Sequence, residues 1–220
     1  DVEGIEWIRL HYAFPTGFPM DVLDVIRDRE NICRYLDMPL QHGSTRILQH
    51  MRRGTTREKQ EALIAAIREK IPDIALRTTL ISGYPGETEE DFNEMLQFVE
   101  KSQFERLGIF TYSHEEQTHA FNYDDDIPQE VKQERADIIM DIQAGISLEH
   151  NLKKIGQTYK VLVDRAEGGK FIGRTEFDSP EVDNEVIIHS PDTPLRIGDF
   201  IQVKIENATE FDLEGSPLLN

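Results

Sequence analysis

LISGYPGETEEDF, residues 80–92, reads as a strand that breaks into two glycines and restarts as an acidic helix. Backbone opened by glycine at the carboxyl end of a strand is a common seat for a nucleotide phosphate. The neighbouring residues argue against phosphate here. A phosphate loop wants a lysine after its glycines and an uncluttered helix start. This start holds Glu87, Glu89, Glu90 and Asp91, with Thr88 placed to cap. Four carboxylates at the positive end of the helix dipole would repel a phosphate.

Around this turn the chain alternates short apolar strands with amphipathic helices. Residues 7–14, 35–40, 76–81 and 106–112 are strand candidates, each separated from the next by enough chain for a helix. This is the pattern of a parallel βα sheet. Ser44 can cap a helix that stops at Gly54, and Thr55 with Glu58 forms a capping box for the next. Phe92, Met95, Leu96 and Val99 repeat at helical spacing and predict a helix buried against the sheet. Asp124 to Asp126 precede Pro128, which opens a helix to about Lys154. Three adjacent carboxylates there read as a solvated helix start rather than a metal site.

Past Gly156 the rhythm changes to short strands and turns: 158–166, 170–177, 185–190 and 199–209. That predicts a second unit, a small closed antiparallel barrel of the oligonucleotide-binding type. The domain reading is therefore 1–156 and 157–220, with an α/β fold class: a partial parallel βα barrel followed by a small β-barrel.

The chain has 42 acidic and 24 basic residues, net −18 with histidine neutral, and residues 157–220 carry 13 acidic against 6 basic. Such a field favours a basic partner and disfavours binding to nucleic-acid backbones. No apolar run is long enough for a membrane span and no secretory signal is visible, so the expectation is a cytoplasmic protein without membrane contact. Cys33 is the single cysteine, which reads as packing and excludes a multi-cysteine metal or cluster site built from this chain alone.

A turn hostile to phosphate suits a neutral or cationic ligand laid against Ser82, Gly83 and Tyr84, such as an adenosine carrying a sulfonium centre; a purely structural turn is the alternative. Two other strand ends also deliver polar groups, Gln41 with His42 and Tyr112 to Glu115. In a parallel βα barrel these ends share one face, where chemistry is placed.

The segments PLQHGSTRILQHMRRGTT (39–56), RTTLISGYPGET (77–88) and FTYSHEEQTHA (110–120) resemble the later signature segments of the radical S-adenosylmethionine methylthiotransferases, and residues 157–220 resemble their TRAM barrel. YLDMPLQH and GRTEFDSPEVDNEVII are similar to the branch that modifies an aspartate of small ribosomal subunit protein twelve. The resemblance implies a methylthio group replacing a hydrogen on the β-carbon of that aspartate, with S-adenosylmethionine and two [4Fe–4S] clusters as cofactors. It further implies that Ile81 and Gly83 lie along the adenine while Gln41, Arg77 and Tyr112 line the cosubstrate pocket. Glu176, Asp178, Glu181, Asp183 and Glu185 are candidates to contact the basic ribosomal protein; no catalytic residue is assigned.

The family's cluster cysteines are absent, so the chain reads as a truncated part of such an enzyme, inactive alone and ligating neither cluster. Gln117 and His119 depart from the family's usual glycine and proline in the 110–120 segment. Two alternatives stay open: a tRNA methylthiotransferase, and a non-catalytic acidic module that docks a basic protein.

Overall fold

The computed structural model describes residues 2–189 and 194–218. Four parallel strands, β1 (Ile8–Leu10), β2 (Ile32–Asp37), β3 (Ala75–Ser82) and β4 (Arg106–Thr111), stand in that order in one open sheet. Helices α1 (Val22–Asp28), α2 (Thr45–His50), α3 (Arg57–Lys70) and α4 (Glu89–Ser102) fill the crossovers, and α5 (Gln129–Leu152) follows β4. The expected partial βα barrel is present.

Burial on β3 shows how the period of two divides the sheet. Leu76 and Leu80 join Leu36, Met95, Phe98 and Val99 in the core beneath the helices. Arg77, Thr79 and Ile81 alternate with them, half-buried, on the opposite, concave face. Helix α4 buries the expected stripe, and Thr88 caps it in a reciprocal capping box with Asp91. Gly43 admits no side chain, since a Cβ there would strike the backbone of Met95 and the ring of Phe98.

Three local expectations move. The Ser44 hydroxyl donates to Asp91 at 2.7 Å instead of capping its own helix, and α2 ends at His50. Thr56, not Thr55, caps α3 by accepting from the Lys59 amide. Pro128 sits at the N-cap of α5, one residue before the first helical position.

The second unit is a closed barrel in the order β5 (Thr158–Glu167), β6 (Lys170–Arg174), β7 (Glu185–Ile188), β9 (Asp212–Pro217), β8 (Phe200–Ala208). Val161, Val163, Val186, Ile188, Val203, Ile205 and Leu213 fill it. The sequence reading made every pair antiparallel, but β7 and β9 run parallel. Five strands closed in a ring cannot alternate direction all the way round, so one parallel pair is required. Ser190, at the end of the expected strand 185–190, lies outside the described residues.

The two units are joined by more than the connecting chain. The segment between β6 and β7 leaves the barrel and packs into the concave face of the sheet, where Phe177 meets Trp7, Cys33, Tyr35 and Ala75. Asn151 and Ser147 on α5 donate to the carbonyls of Thr209 and Glu210.

Candidate functional site

At the carboxyl ends of β3 and β4 lies a cavity of about 500 Å³. Its size falls within the roughly 300–1,000 Å³ of small-molecule clefts. Thr79 and Ile81 of β3 form one wall, Phe110 and Tyr112 the next, and Gln41 stands beside them after β2. Gln41 holds a left-handed backbone, φ 73°, because its amide donates to Thr79 and its carbonyl accepts from Ile81. That clamp ties a non-glycine residue into a conformation L-residues avoid, a form of strain concentrated at ligand sites. Tyr84 and Tyr112 meet edge to face at 5.4 Å, and burial raises both phenols, keeping them protonated.

The glycine turn behaves differently from its sequence reading. Glu87 folds back inside it: Oε2 accepts from the amides of Gly83 at 2.8 Å and Tyr84 at 3.3 Å. Arg135 of α5 closes on Oε1 at 2.8 Å. His42 takes its Nδ1 proton-free against the Ser44 amide, which leaves Nε2 to donate to Glu87. The backbone expected to face a ligand is thus satisfied from within. Gly83 (φ 70°) lies under Lys132, whose side chain occupies the space a Cβ would need. Lys132 is itself anchored to Asp125 at 2.6 Å, and Asp126 accepts from the Gly86 amide, so two of the three aspartates read as solvated carry structural bonds.

Burial pushes the Asp91 carboxyl up, but Arg46, Thr88 and Ser44 overcome it and hold the group far below the usual carboxylate range. Asp91 is therefore paired from inside the fold and stays ionised.

Of the expected cosubstrate residues, Gln41, Ile81 and Tyr112 converge on the cavity. Arg77 lies below it on the same face of β3, donating to Thr79 Oγ1 at 3.3 Å. Gly83 lies outside the lining.

The acidic set expected to meet a basic partner is largely committed elsewhere. Asp178 is fully buried against Arg106, and Asp183 is held by Arg77 and Tyr35. Glu176 accepts from the Arg34 amide at 3.0 Å, and Glu185 forms a two-pronged pair with Arg165. Only Glu181 of the five is exposed without such a contact. Glu176, Asp178 and Asp183 fasten one unit to the other, the two aspartates because buried cations on the sheet demand carboxylate partners.

Several lining residues escaped the sequence reading, among them Thr79, Phe110 and Arg53. Arg53, half-buried at the cavity, stacks its guanidinium over Phe14 at 4.9 Å and reaches only the Pro39 carbonyl, at 3.4 Å. Its buried Nε has no partner, and no carboxylate lies within ion-pair distance of it among the described residues. The only sequence signal for Arg53 was the basic pair in HMRRGTT.

Residues 3–99 match the model of the Radical SAM superfamily, and residues 155–218 match that of the TRAM domain. Ribosomal protein uS12 methylthiotransferase RimO of Cytophaga hutchinsonii is 65% identical over 98% of this chain and 49% of its own length. The proteins of the same name from Christiangramia forsetii and Flavobacterium psychrophilum are 60% and 57% identical. The chain spans about half the length of these curated relatives, 49%, 48% and 50%. A looser likeness, TM-score 0.49 at 20% identity over 77% of this chain and 44% of the other, is to coproporphyrinogen III oxidase of Escherichia coli. No helix among the described residues is long and apolar enough to cross a membrane.

Proposed function

We propose that this chain is part of a radical S-adenosylmethionine methylthiotransferase that modifies an aspartate of the basic ribosomal protein uS12. The observation that carries the reading is the cavity itself, lined by Ile81, Phe110 and Tyr112 together with an arginine, Arg53, that lacks a carboxylate partner. An amphipathic ligand with an aromatic base at one end and a carboxylate at the other fits that polarity. Ile81 and Tyr112 would hold the base, Gln41 and Thr79 the sugar hydroxyls, and Arg53 the carboxylate. Bound S-adenosylmethionine would supply the radical chemistry; the chain's residues supply placement and exclude water.

The clusters implied by the resemblance do not fit this chain. Cys33 is its one cysteine, buried, and burial pushes its thiol up to about 11. Among the described residues no group of three or more His, Cys, Asp or Glu could hold a metal ion. Cluster ligands would come from the other half of a longer protein.

The substrate assignment follows the relatives' names and the charge of −18, which opposes a tRNA backbone and attracts a basic protein. The test uses the full-length protein, reconstituted with iron and sulfide, on isolated uS12 and on tRNA. Gain of one methylthio group on a single uS12 aspartate supports the reading. Modification of tRNA alone would replace it with the tRNA branch, and binding of uS12 without any modification would favour a docking module.

A further inference from the structure

Asp183 belongs to the TRAM unit, yet its carboxylate fixes a side chain on β3. Oδ1 accepts from Arg77 Nε at 3.1 Å, while Oδ2 accepts from Tyr35 Oη at 2.7 Å and the Ser179 amide at 2.8 Å. The Asp183 side chain is 2% exposed. A second carboxylate competes for the same guanidinium. Asp37 Oδ1 lies 3.5 Å from Arg77 Nη1, is buried, and has no hydrogen-bond partner. Arg77 thus lies between two carboxylates, and its Nη1 reaches Thr79 Oγ1 in the cavity wall.

An orphaned buried carboxylate oxygen costs free energy that a small rotation of Arg77 would recover. That the guanidinium remains where it is follows from its bond to Asp183, a residue 106 positions away in sequence. We propose that Asp183 is a positioning residue for the cavity. It holds Arg77 beneath Thr79, keeping it at ion-pair rather than hydrogen-bond distance from Asp37, so that docking of the TRAM unit sets what lies behind the Thr79 wall of the cavity. The TRAM domain then completes the cosubstrate site besides whatever it does toward the substrate. This inference rests on the reading of the cavity as the S-adenosylmethionine site.

The test is calorimetric titration of the full-length protein with S-adenosylmethionine, alongside thermal melting. D183A and R77Q should each weaken binding about tenfold, and the double variant should lose no more than the weaker single, because both remove one interaction. Adding D37N to D183A should restore affinity, since the competing carboxylate is gone; a merely structural loss would not be rescued this way. Should D183A fail to fold, Y35F loosens Asp183 while leaving its charge, and a roughly threefold weakening is expected. Wild-type affinity in folded D183A and Y35F, or no rescue by D37N, would overturn the inference alone. Absence of binding by the wild-type protein would instead overturn the reading of the cavity on which it stands.

Discussion

Arg106 on β4 and Asp178 of the TRAM unit meet at the joint between the two units, Nε to Oδ1 at 2.9 Å, with their side chains 4% and 1% exposed. Neither charge can reach water, so each is tolerable only because the other is present. The Thr175 hydroxyl completes the Asp178 carboxylate at 2.6 Å.

Removing one partner should therefore cost far more than removing both. D178N or R106M should each lose about 3–5 kcal/mol in urea unfolding, whereas R106M with D178L should lose much less. A loss in the double variant equal to the sum of the two single losses would show that the pair is not coupled.

The same pair fixes a pH dependence. Burial pushes the Asp178 carboxyl up, but Arg106 and then Lys154 more than offset it, leaving the folded value below the ordinary one. A depressed carboxyl contributes stability above its unfolded pKa, about 3.9, and loses it as pH falls through the folded value. The stability difference between wild type and D178N should thus be constant above about pH 5 and shrink below about pH 4. Melting curves across that range check it.

Lys154 behaves in the opposite pH range. Burial, opposed by Asp178 and assisted by Arg106, pushes its amine down to about 8. Between about pH 8 and the ordinary lysine value near 10.4, the unfolded chain holds a proton that the folded chain has released, so folding gains stability as pH rises. K154M should flatten this rise and be no less stable than wild type at pH 7. A steeper rise in K154M would contradict it.

Gly83 should prove structural. G83A places a Cβ against Lys132 and forces a left-handed backbone on alanine, costing about 1–2 kcal/mol for the backbone and about 1–3 kcal/mol for the crowding. Adding K132A should recover part of the crowding cost and none of the backbone cost, since its own Cβ stays 2.9 Å from the new one. Adenosylmethionine affinity of the folded G83A protein should stay unchanged, and a specific loss of affinity would return Gly83 to the ligand site.

Arg53 should report on the ligand's anionic end. R53Q in the full-length protein should weaken S-adenosylmethionine about 10- to 100-fold, the size of a charged hydrogen bond, with little change in melting temperature. Against a decarboxylated analogue, wild type and R53Q should bind alike. Equal losses for both ligands would place the carboxylate elsewhere.

The sequence by itself determined most of the elements and their order, though the last barrel strand, β9 (Asp212–Pro217), went unread. Phe92, Met95 and Val99 on α4, and Val161 and Val163 on β5, declare their buried faces through periods of 3.6 and 2, which are properties of the local backbone. Thr88 and Asp91 cap α4 within one turn, so that contact too was legible. The convergence of Gln41, Ile81 and Tyr112 followed from parallel strands ending on one face. Only the tertiary structure decided what the charges and glycines are for. Asp178 and Asp183 read as a surface patch, yet they meet Arg106 and Arg77 across 72 and 106 residues of chain. Gly83 read as room for a ligand, yet the room is filled by Lys132 from α5. Periodicity reports which side of an element is buried. It carries no record of which distant charge or side chain will arrive there, because that depends on how the two units close on each other.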